Sequence, residues 1–158
     1  MPSCSNSSNI RAGSTVVNVS NDGGNRLSVL ISSASINESG LCAGEAIYYD
    51  VGLSKYTRSV ASNANTAEVF GVVESLDVAG NANVVICGSI GLTGYINLGA
   101  GGCGGHDIYF LSGLTAGKLQ SLPPTTDGHI VKAVYQTAPH GNYTGIIVNY
   151  IGYKVPTI

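Results

Sequence analysis

The sequence predicts an all-β protein: a small barrel or sandwich built from two tandem, pseudo-symmetric β units, with an extended N-terminal arm. Three observations carry this. Apolar residues nowhere recur at helical spacing over successive turns. Short runs rich in Val, Ile and Tyr are separated by Gly-, Asn- and Pro-containing turns at the spacing of a many-stranded sandwich or barrel. The chain also repeats itself. Shifted by 61 residues, the stretch 40–91 falls on 101–152 without a gap. Gly40, Cys42 and Gly44 land on Gly101, Cys103 and Gly105, and Ile47 and Tyr48 on Ile108 and Tyr109. Leu53 meets Leu114, Val73 meets Val134, and Gly80 and Asn81 meet Gly141 and Asn142. Ile86, Ile90 and Gly91 meet Ile147, Ile151 and Gly152. About a dozen identities in register exceed what shared Gly and Val content gives by chance.

The elements follow in order. Residues 1–9 are Ser- and Asn-rich without periodicity and read as the arm. Residues 15–20 alternate as a short strand, 21–25 (Asn-Asp-Gly-Gly-Asn) form a strong turn signal, and 26–33 return as a second strand. The division is an arm with the first hairpin strand over 1–25, then one β domain over 26–158 that contains both repeats. In the first repeat, 45–50, 55–60, 67–76 and 83–90 are strands, and Gly71 is a bulge or close-approach point. A connector at 92–104 thickens into the Gly-rich run 99–105. In the second repeat the strands are 106–111, 118–122, 129–136 and 144–150, with a Pro-Pro-Thr-Thr-Asp-Gly loop at 123–128 and a tail at 154–158.

Composition narrows the function classes. The 158 residues suit one domain with a real core. A net charge of −2 with seven scattered basic residues offers no nucleic-acid footprint. No apolar run is long enough to span a bilayer, and the N-terminus lacks the apolar segment of a secretory signal. The sequons at Asn6, Asn18, Asn37 and Asn142 then carry little weight. With 10% charged residues the surface is built from Ser, Thr, Asn and Gly, which protects weakly against association and suits a protein that lives in an assembly.

The chemistry-bearing residues form no recognisable site. Cys4, Cys42, Cys87 and Cys103 include no Cys-x-x-Cys pair, so a zinc centre is not indicated. Cys42 and Cys103 occupy equivalent repeat positions and could meet across a pseudo-twofold as a disulfide; the plainer reading is small thiols in a reducing cytosol. His106, His129 and His140 have no ligand-spaced companions. There is no Gly-x-Ser-x-Gly elbow, and the Gly-rich run lacks the ending of a phosphate loop. Cys103 and His106, three residues apart in a Gly-rich linker, do not make a nucleophile–base geometry. Glu45, Asp50, Glu68, Glu74 and Asp77 could pair as glycosidase carboxylates, but they read better as solvated charges at strand edges. The expectation is therefore a non-enzyme with no catalytic residues, metal or cofactor.

One phrase resembles a known family. Asp107-Ile-Tyr-Phe-Leu-Ser, then Leu114-Thr-Ala-Gly-Lys-Leu, then Pro123-Pro-Thr-Thr-Asp-Gly-His-Ile-Val-Lys, is similar to a module of phage virion proteins. In that module a Val-Tyr-Tyr-Leu-Ser strand leads to a Thr-x-Gly turn, a Pro-Thr-rich loop and a Gly-x-x-Val-x-x-Val-Gly strand. Gly44-Glu-Ala-Ile-Tyr-Tyr and Ala67-Glu-Val-Phe-Gly-Val-Val resemble the companion phrase, so the likeness covers about two-thirds of the chain. The chain departs from it at Lys132 to Tyr135, where the module's Gly is missing.

The resemblance implies a virion structural protein: a head-decoration (capsid cement) protein made in the host cytoplasm and placed on the capsid surface, or else a tail-fibre or spike subunit that binds a host receptor. A carbohydrate-binding module is a third reading. The implied partners are the major capsid protein and further copies of the chain, expected as a trimer, with neither nucleic acid nor membrane. Candidate contact residues are Ile10, Arg11, Val16, Val17 and Val19 on the arm, with too few apolar neighbours to fold alone but enough to add a strand to another sheet. Tyr49 and Tyr109 join them. Tyr48 with Tyr49, and Tyr109 with Phe110, alternate across their strands, so one of each pair can fill the core and the other face a partner.

Overall fold

The computed structural model of the chain describes residues 9–12, 15–21, 26–91, 108–137, 144–148 and 151–156. The fold is all-β. The chain opens with β1 (Asn9–Ala12), β2 (Thr15–Asn21) and β3 (Arg26–Ile31), and a single 3-10 turn at Ser33–Ser35 follows. The first unit consists of β4 (Ala46–Asp50), β5 (Lys55–Arg58), β6 (Gly71–Leu76) and β7 (Ala82–Gly91). The second consists of β8 (Ile108–Leu111), β9 (Leu119–Gln120), β10 (Ile130–Val131), β11 (Ala133–Thr137) and β12 (Thr144–Ile147). β13 (Tyr153–Lys154) pairs back onto β10. Eight antiparallel strands in the order β1-β2-β3-β7-β12-β11-β8-β9 curl into a half-barrel, to which β4, β5 and β6 attach through β7. Of the arm, residues 1–8 lie outside the described residues; from Asn9 the chain lies on the protein's own sheet, with β1 paired to β2 and β2 to β3.

Both units follow one scheme of pairing. β4 pairs with β5 and β6, and β6 with β7; likewise β8 pairs with β9 and β11, and β11 with β12. The last strands of the two units, β7 and β12, pair antiparallel with each other, as a twofold between the units requires. The registers, however, do not obey the gapless shift. Ala46 lies opposite Val72, which translates to Asp107 opposite Ala133, yet Phe110 takes that place. Ile47 opposite Arg58 predicts Ile108 opposite Leu119, where Leu111 sits. Val72 opposite Val85 predicts Ala133 opposite Ile146, where Gln136 sits. Each pairing is displaced by three residues. The irregularities fall at different places, between Val73 and Ser75 in one unit and between Ala133 and Tyr135 in the other. In the second register the Tyr135 ring covers Gly145 so closely that a Cβ there would lie 2.2 Å from it.

The first unit's sheet is buried on both faces. Ala46, Val72 and Val85 point into one core, with Tyr109, Leu111, Val134, Tyr135 and Ile147 of the second unit. Their chain neighbours Ile47, Val73 and Val84 point into the other, with Val29, Ile31, Leu41 and Tyr56. Val72, Val73, Val84 and Val85 are all fully buried. Each such side chain contributes roughly 1.5–3 kcal/mol by leaving water. β7 serves both cores by changing sides just ahead of Gly88. Ahead of it Val84 and Ile86 face the second core, but beyond it Ile90 faces the first. The change falls at a β-bulge, where Leu27 lies opposite Cys87 but Ser28 opposite Val85 and Ile86 is the extra residue; Gly88 follows with a positive φ of 86°, a backbone conformation that a side chain would strain. Gly71 is the close-approach point expected, because a Cβ there would lie 2.6 Å from the carbonyl oxygen of Val85.

Other expectations are corrected. The strand expected over 67–76 starts only at Gly71, although Ala67 and Val69 ahead of it are buried in the core. The strand expected over 129–136 is broken at Lys132 into β10 and β11. Part of the tail is a strand, β13. β1 was not anticipated, since Asn-Ile-Arg-Ala has too little alternation to announce it. The turn at 22–25, the connector at 92–104 and the turn at 138–143 lie outside the described residues.

Candidate interaction surfaces

The expected contact residues separate into three groups. Ile10 and Arg11 lie on β1, the terminal strand of the sheet, and Val16, Val17 and Val19 on β2, between β1 and β3. Tyr49 is half-buried, its ring edge-on to Tyr56 at 5.1 Å, and Tyr56 in turn meets Phe70 at 5.0 Å. Tyr109 has no exposed surface: it fills the core beside Tyr135, with ring centroids 5.8 Å apart. Its role as a contact residue is thereby corrected, and the outward member of that pair is the half-buried Phe110.

The carboxylates also divide. Glu45, expected as a solvated edge charge, is buried at the junction of the two units. It stands one residue ahead of β4, so the strand that carries Ala46 and Ile47 into the two cores carries it inward too. Its carboxylate accepts from the Cys42 N–H at 2.9 Å and pairs with Arg58 Nε at 2.8 Å and Lys118 Nζ at 2.9 Å. Arg58 also pairs with Glu38 at 2.9 Å and donates to the Gly40 carbonyl at 2.7 Å, while the Thr57 hydroxyl bonds to Glu38. Burial raises the Glu45 pKa, but the Cys42 N–H, Lys118 and Arg58 outweigh it and hold the carboxyl below its ordinary value. Backbone bonds reinforce the junction. The Ala46 N–H donates to the Gly117 carbonyl at 2.8 Å, and the Gly117 N–H to the Ser59 carbonyl at 2.7 Å. Arg58 lies along Gly117, 3.1 Å from where a Cβ would stand. The cluster is a clasp that closes the 112–118 hairpin of one unit onto the other. Sequence reading missed it because its members are far apart in the chain.

The other carboxylates do local work. Glu74 pairs with Arg26 and accepts from the Asn83 amide, tying β3 to β6 across β7. Asp50 accepts from the Leu53 N–H and the Tyr48 hydroxyl, closing the β4–β5 hairpin. Ser112 closes the β8–β9 hairpin by accepting from the N–H groups of Leu114 and Thr115. Asp77 caps the β6–β7 turn, and its carboxyl is held low first by the Asn81 amide and then by the backbone N–H groups of the turn. Glu68 lines a shallow pocket with Ile130, Lys132 and Ile151.

His129 packs against Gly113, while His106, His140, Cys4 and Cys103 lie outside the described residues. The same holds for any Cys42–Cys103 bond; the Cys42 thiol lies 3.4 Å from the Gly40 carbonyl. Among the described residues no group of three or more His, Cys, Asp or Glu side chains could hold one metal ion.

A third region lies on the outer face of the second unit. Gln136 on β11 lies opposite Ile108 of β8 on one side and Ile146 of β12 on the other, and Ser89 of β7 follows Ile146. Directly opposed residues share a face, and this face is open: Ile108 is 41% and Ile146 49% exposed. Phe110 and Val148, two residues beyond Ile108 and Ile146, are half-buried.

Comparison with protein-family models, with curated proteins and with solved structures finds no match for this chain.

Proposed function

We propose that this chain is a virion structural protein of the head-decoration kind, which binds the outer surface of a capsid through the major capsid protein and stiffens the shell by contacts alone. The observation that carries the reading is β1. It is the terminal strand of the large sheet, paired on one side with β2 and without a partner on the other among the described residues. Such an edge accepts a further strand, with the main chain supplying affinity and alternate side chains supplying selectivity. A sheet edge is a liability for a solitary protein and an asset for one that docks. Many modest contacts, repeated by capsid symmetry, sum to strong retention. The low charge and the virion-type phrase support the same reading. A tail-fibre subunit that binds host glycans is the second reading, favoured by Tyr153, an aromatic side chain 64% exposed and free to stack on a sugar.

Quantitative mass spectrometry of virions from the genome that encodes the chain separates the two. Copy numbers comparable to the capsid protein support decoration, copies confined to the tail support the fibre, and virions without the protein refute both. A chain starting at Gly13 removes β1 and keeps β2. It is expected to fold but to bind heads lacking the protein about tenfold or more weakly, as the loss of one strand's bonds implies. Undiminished binding would remove β1 from the account.

A further inference from the structure

We propose that the outer face of β8, β11 and β12 is a self-association surface on which two copies of the chain stack face to face, about a twofold axis running along β11. By pairing position, Tyr135 opposite Ile147 in the second unit corresponds to Val72 opposite Val85 in the first, and all four lie in the shared core. The next pair in the first unit, Val73 opposite Val84, is fully buried in the second core. Its counterpart is open by comparison: Ile146 is 49% exposed and Gln136, opposite it, only half-buried.

The occupant follows from the symmetry of the patch. β8 and β12 flank β11 and both run antiparallel to it, so they run parallel to each other. They stand at equal distances from β11, about 4.8 Å on either side. Rotation by half a turn about an axis along β11 therefore sets β12 of the second copy over β8 at the same height. Ile108 meets Ile146 of the second copy, and Phe110 meets Val148 of the second copy. Gln136 meets its own equivalent, and a primary amide, being donor and acceptor at once, pairs with itself. None of these five residues is charged, so nothing on the face repels a copy of itself. A patch complementary to itself is what an isologous interface requires, and aligned sheets pack about 10 Å apart through interleaved apolar side chains of this kind. The inference stands apart from the capsid reading, and it replaces the threefold unit expected from sequence with a twofold one.

Sedimentation equilibrium over a concentration series tests it. One chain has a mass of 16.1 kDa, and the full-length protein is expected to approach twice that value as concentration rises. Ile108→Glu and Ile146→Lys, each at an exposed position, are expected to weaken the dimer about tenfold or more, since each enters the interface twice. Combined in one chain, they place Glu against Lys at both contacts and are expected to restore dimerisation toward the wild-type constant. Far-UV circular dichroism and the thermal midpoint confirm that each variant is folded. A wild-type chain that stays monomeric, a trimer, single variants that dimerise undiminished, or a double variant no tighter than the singles would each overturn the proposal.

Discussion

Val73 with Val84 in the first unit, and Gln136 with Ile146 in the second, occupy the same place in the same scheme of strands, yet one pair is sealed and the other open. A repeated sequence thus reproduces pairing order but not burial. Burial depends on what the rest of the chain lays over each copy. The first unit receives β3, Leu41 and Tyr56, and its inner pair is accordingly two valines. The second keeps a polar amide in the middle of its face.

The sharpest way to break this comparison is to put the same charge on both sides of it. Val84→Lys places an ammonium in a sealed core, with a penalty of several kcal/mol, comparable to the whole stability of a domain of about 5–15 kcal/mol. The variant is expected not to fold cooperatively. Ile146→Lys, measured where the chain is monomeric, is expected to shift stability by no more than about 0.5 kcal/mol. Urea unfolding of both decides the matter, and equal effects would erase the difference between the units.

The clasp between the units gives a smaller effect. Glu45→Gln leaves Arg58 and Lys118 without their buried carboxylate and is expected to cost about 3 kcal/mol. Lys118→Met removes only a half-exposed partner, so the loss is expected to stay within about 1 kcal/mol. The pH dependence has a defined sign. The folded pKa of Glu45 lies below its ordinary value, so its contribution is complete above the usual carboxylate range near about pH 4.5 and is lost as pH falls through the folded value. Thermal midpoints taken down an acid series should therefore fall more steeply for the wild type than for Glu45→Gln.

The register lock is expected to matter less than the loss of Glu45. Gly145→Ala pushes a methyl group into the Tyr135 ring and is expected to cost about 1–3 kcal/mol. Tyr135→Leu in the same chain makes room. A double-mutant cycle should show the two changes compensating in part, and simple additivity would mean that the ring does not set the register.

The strands were legible because short runs rich in Val, Ile and Tyr stand between turn residues, as Ile47 to Asp50 and Val72 to Leu76 show, even where burial on both faces removes the period of two. The repeat was legible as order and turns, and its shift of register was not, because a ring lying over Gly145 leaves no trace in spacing. Alternation told that one of Tyr109 and Phe110 faces inward but not which, since that depends on the register. Glu45 was read as an edge charge because its two cationic partners come from a neighbouring strand and from the other unit. The one local sign was its position immediately ahead of the apolar pair that opens β4.

β7 pairs with β3 along one side, and along the other with β6 at its beginning and β12 at its end. Neither unit owns its final strand, so neither has a boundary at which the chain could be cut into two folding halves. The protein should therefore lose its structure in one event rather than unit by unit. That event is reached slowly in the folding direction, because β7 finds two of its neighbours only after long loops have closed. The amide protons at the centre of β7 would be the last to exchange with solvent, released only when the whole molecule opens.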